Sequence, residues 1–225
     1  MFRYIFLKRI FDILFASLAL IILSPLFLII LLFLVVSSPG EIFFLQTRIG
    51  YHHKPFRIIK FSSMQKGSAN QGLGTITLRN DTRVTKFGKF LRITKLNELP
   101  QIINVLIGNM SLVGPRPLLF KDLGTFPASL KEAIYNSKPG ITGIGPIVFR
   151  DEEILVTHAK DPVSFHINEI QPYKGELELW YLQNKSLSLD LTVIFMTFWI
   201  IIFPKSTLPF KVFRNLPAKP IALMV

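Results

Sequence analysis

The longest apolar stretch of the chain runs from Ile10 to Val36 and is interrupted in the middle by Ser24 and Pro25. No other stretch reaches the ~20 apolar residues that a bilayer-spanning helix requires. Pro25 has no amide hydrogen and clashes with the carbonyl of Ile21, so the helix is expected to kink there. The Ser24 hydroxyl can donate to the freed carbonyl, which makes the break tolerable in lipid. The pattern predicts a long apolar helix that is broken at Ser24-Pro25.

Basic residues flank this helix on both sides. Arg3, Lys8 and Arg9 precede or begin the apolar stretch, and the segment that follows it is strongly basic. Basic flanks favour the cytoplasmic side of a membrane, and a helix that enters the bilayer and returns keeps both flanks on that side. We therefore predict a re-entrant membrane helix over residues 1–38, with a kinked single-pass helix as the alternative.

Beyond this helix the pattern alternates short strands with amphipathic helices. Alternation over Lys54–Phe61 predicts a strand, and Glu41–Arg48 before it is either a strand or a segment lying in the interface. Helical spacing after an Asn80-Asp81 cap predicts a basic amphipathic helix, which lies on the membrane or covers an ordinary core. The apolar stretch Leu189–Phe203 is too short to span and is predicted to lie in the interface.

These elements predict an α+β fold class. Its parts are the re-entrant membrane helix, a small cytoplasmic mixed domain over residues 39–204 with interface-lying amphipathic helices, and a basic interfacial tail over residues 205–225. The tail mixes Lys and Arg with Phe and Pro, which suits contact with an anionic leaflet.

Charge is concentrated in one part of the chain. From Ile42 to Lys121 there are thirteen Lys or Arg but only two acids, Asp81 and Glu98, so nearly all of the net charge of +12 lies there. Such a field favours an anionic partner, which could be nucleic acid, lipid headgroups or a phosphorylated small molecule. Nucleic acid is disfavoured because the basic residues form no recognition helix or aromatic platform. The chain has no Cys, which excludes disulfides and thiolate metal sites.

Glu98 is the one acid between Arg92 and Pro117. It follows Asn97 and precedes Pro100, and proline is tolerated in the first turn of a helix. Asn97 is therefore predicted to be an N-cap. Amides at a helix N-terminus favour anions, so Glu98 is expected to stay ionised and a phosphate can bind beside it. The alternative is that Asn97 is only a cap and Glu98 only a favourable partner of the helix dipole.

Arg116 lies in the short segment Gly114-Pro115-Arg116-Pro117, where the flanking prolines restrict the backbone. A guanidinium held in a fixed position suits bidentate recognition of phosphate. The alternative is an Arg in a surface ion pair.

Two segments carry a family resemblance: RNDTRVTKFGKFLR from Arg79, and NELPQIINVLIGNMSLVGPRP from Asn97. They resemble the bacterial sugar transferases, the monotopic phosphoglycosyl transferases, and the resemblance runs from the apolar N-terminal segment to about Phe203. It implies transfer of a sugar-1-phosphate from a nucleotide diphospho-sugar, UDP-linked, to a membrane polyprenyl phosphate. That reaction initiates the synthesis of a cell-surface glycan such as an exopolysaccharide.

The resemblance also implies where the protein acts and which residues act. It places a monotopic protein in the inner membrane of a bacterium with the catalytic domain on the cytoplasmic face, and it allows a homodimer. Asn97 and Glu98 occupy the catalytic pair, Glu98 and Glu178 would hold Mg²⁺, and Ser24-Pro25 would form the break in the membrane helix. The expected contacts to substrate phosphate are Arg116, Arg48, Lys60, Arg150 and Arg83.

The chain departs from the family pattern at two carboxylates. The family has Asp-Glu where this chain has Asn97-Glu98, and Gly-Asp-Met where this chain has Gly108-Asn109-Met110. In the family that first Asp attacks the sugar-side phosphate, and an amide is a far poorer nucleophile. Three possibilities follow: Glu98 is the nucleophile, the lipid phosphate attacks directly, or the chain is a catalytically silent membrane-anchored protein that binds nucleotide sugar or anionic lipid.

Overall fold

The computed structural model describes residues 2–37, 41–68, 76–78, 81–120, 126 and 128–223. The helices are α1 (Phe2–Ser37), α2 (Lys86–Ile93), α3 (Gln101–Ile107), α4 (Ala128–Tyr135), α5 (Ile144–Val148), α6 (Glu152–His158), α7 (Pro162–Phe165), α8 (Gln171–Asn184), α9 (Leu187–Ile202) and α10 (Leu208–Val212). The strands are β1 (Phe43–Ile49), β2 (Pro55–Phe61), β3 (Ser111–Val113) and β4 (Gly140–Thr142). The prediction of a mixed α+β chain with a long apolar helix at its N-terminus is confirmed.

Two small sheets lie between the helices. Strands β1 and β2 pair antiparallel, in a register that runs from Phe43 opposite Phe61 to Ile49 opposite Pro55. Segment Glu41–Arg48, for which the pattern left two interpretations, thus forms mostly strand. Strands β3 and β4 pair in parallel, with Ser111 opposite Gly140.

Helix α1 includes Pro25 and packs on the rest of the chain along much of its length. In its first half Ala16 is buried against Phe56 and Ile58 of β2 and residues of α3. In its second half Ile30 and Leu34 are buried against Phe61 and Leu91. Helix α1 continues through Pro25, so a break there stays a prediction. The predicted hydrogen bond is confirmed, since Ser24 Oγ donates to the carbonyl of Ile21 at 2.8 Å.

Polar contacts anchor the start of α1. Arg9 donates to the carbonyls of Val105 and Leu106 at 2.6 and 2.9 Å, which places a cation at the C-terminus of α3. The buried Asp12 accepts from Ser111 Oγ and from the amide of Leu112, both at 3.0 Å. The N-terminal turns of α1 are therefore fixed to α3 and β3.

A second anchor joins α1 to α8 and α9 through the fully buried Asp190. Its Oδ2 accepts from Lys8 Nζ at 2.6 Å and from the Tyr4 hydroxyl at 3.0 Å, and its Oδ1 accepts from the Tyr181 hydroxyl at 2.7 Å. Each donor compensates part of the cost of removing this carboxylate from water.

Much of the helical surface is apolar and exposed. Ile21 on α1, Phe90 on α2 and Phe198 on α9 are 70%, 51% and 64% exposed. Among the described residues, one helix segment, Arg3–Val36, is long and apolar enough to cross a membrane. This surface suits the interface positions that the sequence predicts for α2 and α9.

The predicted cap of α2 is wrong. Thr85 is the N-cap, and its hydroxyl accepts from the amide of Gly88 at 2.9 Å. Asp81 is drawn away from α2 because it accepts hydrogen bonds from Arg83, and Asn80 lies outside the described residues.

The C-terminal segment returns to the domain core. Phe213 and Leu223 are buried in the cluster that includes Tyr173 and residues of α9. The Tyr173 hydroxyl donates to the carbonyl of Pro217 at 2.9 Å. Contact of residues 205–225 with a membrane stays a prediction, for which Phe210 and Val212 offer exposed apolar side chains.

Candidate active site

Glu98 ends a single 3₁₀ turn, Leu96–Glu98, that leads towards α3. Its Oε1 accepts from Lys60 Nζ at 2.6 Å, so the lone acid predicted from the motif meets a cation of β2. The prediction that Asn97 caps the helix is wrong. Helix α3 begins at Gln101, with Pro100 at its cap position, and Pro100 has no amide hydrogen to bond back to the preceding turn.

Asn97 lies inside the 3₁₀ turn instead, where it is 8% exposed. Its Oδ1 is buried and has no hydrogen-bond partner among the described residues. Preceding it, Lys95 has left-handed backbone angles (φ 59°), which are uncommon for a residue other than glycine.

Asn104 holds α3 against β2 and thereby brings Glu98 to Lys60. Its Oδ1 accepts from the amide of Ile59 at 3.0 Å, and its Nδ2 donates to the carbonyl of Arg57 at 2.8 Å. The side chain thus satisfies one donor and one acceptor of the strand next to Lys60.

Glu98 and Lys60 influence each other's ionisation. Burial acts to raise the pKa of Glu98, but the charges of Lys60, Arg116 and Lys95 outweigh it and hold that pKa far below its usual range. Burial, with Arg116 acting in the same direction, lowers the pKa of Lys60 to about 8, although Glu98 acts to raise it. Near neutral pH the pair is therefore an ion pair.

Three contacts hold the loop that presents Arg116. Arg48 donates to the carbonyl of Pro117 at 3.1 Å, and Glu178 Oε1 accepts from the Arg116 amide at 3.3 Å. The third is a close approach of Gly114 to Gly140, where a Cβ on Gly140 would lie 2.1 Å from the Gly114 nitrogen. Arg116 is exposed, and within the described ranges its guanidinium makes no hydrogen bond. It is therefore available to an anion.

Glu178 is 6% exposed, and its Oε2 has no hydrogen-bond partner among the residues that the structure describes. Burial raises the pKa of Glu178 to about 7, although Arg116 and Lys174 act to lower it. Beside it lies a pocket of about 20 Å³, enough for roughly one water molecule.

One cavity of about 940 Å³ brings most of the predicted site residues together. Its lining includes Arg48, Lys60, Asn97, Glu98, Arg116, Arg150 and Glu178. Arg83 does not belong to that lining, and its role as a phosphate contact stays a prediction. Its guanidinium is bound to Asp81 at 2.6 Å and to the carbonyl of Ile76 at 3.0 Å, so it organises the segment before α2.

The motifs did not identify another charged group of this cavity. Glu152 of α6 lies 3.1 Å from His166 and 2.5 Å from Lys174, and all three residues line the cavity. Arg92 pairs with Glu153 at 2.5 Å across 61 residues of sequence. No local pattern marks such pairs, because their partners meet only in the folded chain.

The cavity lining is apolar as well as charged, and two helices contribute to its apolar part. Phe15, Ala19 and Leu23 of α1 and Ile194, Phe198 and Ile201 of α9 all belong to the lining. The same helices expose apolar side chains outside the cavity. Charged and apolar side chains therefore line one cavity.

The donor set partly fits the expected Mg²⁺. No group of three or more His, Cys, Asp or Glu in the described ranges could hold a metal ion. Mg²⁺ is commonly bound by one or two carboxylates together with substrate phosphates and water. Ionised Glu98 fits that role. Glu178 stays a predicted ligand, with its unpartnered Oε2 as the atom available.

The cavity is lined by charged and apolar residues, and one helix among the described residues is long and apolar enough to cross a membrane. The profile of the family described as bacterial sugar transferase matches residues 3–204, and the chain belongs to that family.

Relatives have names that agree with this family. The chain is 39% identical over 194 residues to the UDP-glucose:undecaprenyl-phosphate glucose-1-phosphate transferase of Escherichia coli (strain K12), which covers 85% of the chain and 39% of the relative. It is 37% identical to the UDP-N-acetylgalactosamine-undecaprenyl-phosphate N-acetylgalactosaminephosphotransferase of Aeromonas hydrophila, over 86% of the chain and 43% of that relative. It thus spans less than half the length of both. The exopolysaccharide production protein ExoY of Rhizobium meliloti (strain 1021) is 35% identical, over 84% of the chain and 83% of ExoY.

Proposed function

We propose that the chain transfers a sugar-1-phosphate from a UDP-sugar to a membrane polyprenyl phosphate, the first step of an exopolysaccharide or similar glycan. The observation that carries this proposal is that charged and apolar side chains line one cavity. A water-soluble diphosphate and a lipid phosphate can meet only where charged and apolar surfaces adjoin. The relatives named as undecaprenyl-phosphate transferases support the same reaction.

The basic residues that line the cavity bind the phosphates. Arg116 offers a planar fork for two phosphate oxygens, and Lys60 adds an ammonium beside Glu98. Arg48 and Glu178 act on the loop backbone, so they fix where Arg116 is presented. Positioning and charge neutralisation are the main requirements of phosphoryl transfer.

In the chemical step, an oxygen of the polyprenyl phosphate forms a bond to the sugar-side phosphorus of the donor. The bond from that phosphorus to the bridging oxygen breaks, and uridine monophosphate leaves with the electron pair. Mg²⁺ bound to the diphosphate would neutralise the charge that develops on its oxygens. Glu98 would hold the ion by one carboxylate oxygen.

Direct attack by the lipid phosphate is favoured over a covalent intermediate on Glu98. A carboxylate with a strongly lowered pKa is a weak nucleophile, and Glu98 is also bound by Lys60. Asn97 offers only an amide oxygen. The acceptor phosphate, which lies at the membrane surface, needs no intermediate if both substrates occupy the cavity together.

The packing of α1 supports a re-entrant position on the cytoplasmic face. Lys8 and Arg9 at its start, and Leu34 near its end, contact the same domain. If the helix crossed the ~30 Å hydrocarbon core, part of the domain would have to follow one of its ends to the other side. This supports a helix that enters and leaves the bilayer on the side of the domain.

Purified chain in nanodiscs with undecaprenyl phosphate, Mg²⁺ and a panel of radiolabelled UDP-sugars tests the proposal. Label is expected in the lipid fraction with at least one donor. Asn97 favours a second function, a silent protein that binds nucleotide sugar. Tight binding of one donor with no lipid-linked product from any donor would establish that function and overturn the transferase.

A further inference from the structure

One part of the cavity lining differs in chemistry from the residues assigned to phosphate. Glu152 of α6, His166 of the π-helical turn His166–Ile170 and Lys174 of α8 meet there. Glu152 lies between the other two, 3.1 Å from His166 Nε2 and 2.5 Å from Lys174 Nζ. These residues form one cluster, the Glu152 cluster, which lines the same cavity as Glu98.

The cluster consists of polar and charged side chains whose burial is energetically unfavourable. Its side chains are largely buried, with exposures of 14% for Lys174, 18% for His166 and 26% for Glu152. Lys174 also lies 5.2 Å above the ring of the buried Phe149. A π-helical turn is rare and is frequently found at functional sites, and here it positions His166.

Charge decides which part of a substrate suits this part of the lining. Because Lys174 pairs with Glu152, the cluster offers a diphosphate no net positive charge comparable to that of Arg116. Each sugar hydroxyl both donates and accepts a hydrogen bond. Glu152 accepts, Lys174 donates, and the ring nitrogens of His166 offer either role. Donors and acceptors that alternate over a few ångströms match a ring that carries several hydroxyls.

The position of the cluster agrees with the order of groups in the donor. The small pocket of about 20 Å³ is bordered by Arg116, Glu152, Lys174 and Glu178, so it joins the phosphate-binding arginine to the cluster. In a nucleotide diphospho-sugar, the sugar is bonded directly to the phosphate that is attacked. A diphosphate on Arg116 therefore places a sugar ring within reach of Glu152.

We infer that Glu152, His166 and Lys174 form the subsite that binds the hydroxyls of the donor sugar and distinguishes one sugar from another. The inference rests on the proposed function for the identity of the donor. The ribose of the nucleotide presents the same hydroxyl chemistry, and the experiment separates these two sources.

The test measures binding, so it needs no turnover. Dissociation constants of UDP-glucose, UDP-galactose and UDP are measured by calorimetry for the full chain in detergent and for Glu152→Gln. Glu176→Gln is the matched control, because Glu176 is exposed on α8 and lies off the cavity. Glu152→Gln is expected to weaken the tighter-binding UDP-sugar by about tenfold, as for loss of one charge-assisted hydrogen bond. The substitution should reduce the difference in dissociation constant between UDP-glucose and UDP-galactose. It should leave the dissociation constant of UDP unchanged.

Two results would overturn the inference. An equal loss for UDP and for both UDP-sugars would assign the cluster to the nucleotide, and no loss for any ligand would make it a structural contact of α6 with α8. If Glu152→Gln fails to fold, His166→Asn answers the same question by the same comparison. A chain that binds UDP-sugars as expected but forms no lipid-linked product would refute the transferase and keep the sugar subsite.

Discussion

Lys60 Nζ lies 2.6 Å from Glu98 Oε1, and this contact joins strand β2 to the turn that carries the lone acid of the central motif. The two side chains are 15% and 20% exposed, so the pair borders the cavity without being sealed from it. A phosphate that enters can therefore meet the ammonium, and a cation bound to that phosphate can meet the carboxylate.

The first prediction concerns pH. The pKa of Lys60 is lowered to about 8, so its ammonium is lost as the pH rises through that value. Affinity for UDP should fall above that pH, by about tenfold per unit at most. Calorimetric dissociation constants between pH 7 and about 9.5 measure this. Lys60→Arg keeps its charge throughout this range, so its dissociation constant for UDP should not change with pH. If that variant showed the same loss of affinity above about pH 8, the titration would belong to another group.

The second prediction concerns the buried Asp190. Asp190→Asn leaves the Lys8 ammonium without a countercharge, and Lys8→Met leaves the Asp190 carboxylate with only the hydroxyls of Tyr4 and Tyr181. Each single variant should lose about 3–5 kcal/mol of stability, whereas Lys8→Met with Asp190→Asn should lose less than the sum. Apparent midpoints of thermal unfolding in detergent measure this, with the exposed Glu132→Gln as control. Additive losses would show that the residues do not interact.

The third prediction concerns the membrane helix. The chain has no Cys, so single cysteines can be placed at Arg3 and at Glu132, both of which are exposed. If α1 is re-entrant, both sites lie on the cytoplasmic side, and a membrane-impermeant maleimide should label neither in intact spheroplasts and both after lysis. Labelling of Arg3→Cys alone from outside would establish a spanning helix.

Contacts between residues that are close in sequence were easier to predict than contacts between residues that are far apart in sequence. The hydrogen bond from Ser24 to Ile21 and the strand at β2 follow from local rules of helix and strand, and both were predicted correctly. Clustering of Glu98, Lys60 and Arg116 was anticipated because motif and charge coincide there.

Local pattern was less informative elsewhere. The phosphate contact that the resemblance implies for Arg83 stays a prediction, and in the structure Arg83 binds Asp81, two residues before it. The Asn97 cap is wrong because α3 begins at Gln101 and Asn97 lies in a separate 3₁₀ turn, which Pro100, without an amide hydrogen, does not join to the helix. The pairing of Asp190 with Lys8 could not be predicted from local pattern, because the two residues are 182 positions apart.

The fourth prediction concerns the two amides that replace family carboxylates. Asn97→Asp places a carboxylate in the cavity close to the positive charges around Glu98, and we expect it to form a covalent phospho-sugar adduct with a radiolabelled donor. The wild type should form none. Asn109→Asp is the matched control, because Asn109 is exposed and lies off the cavity. An adduct on the wild-type chain, mapped to Glu98, would replace direct attack by a covalent route.

The central claim is that the charged cavity brings a nucleotide sugar and a membrane phosphate together around Glu98. Release of uridine monophosphate from a UDP-sugar, measured in nanodiscs with and without undecaprenyl phosphate, tests it most directly. The account predicts release only when the lipid phosphate is present, and a loss of about 100-fold or more in Glu98→Gln. Equal release without the lipid phosphate, or full release by Glu98→Gln, would contradict it.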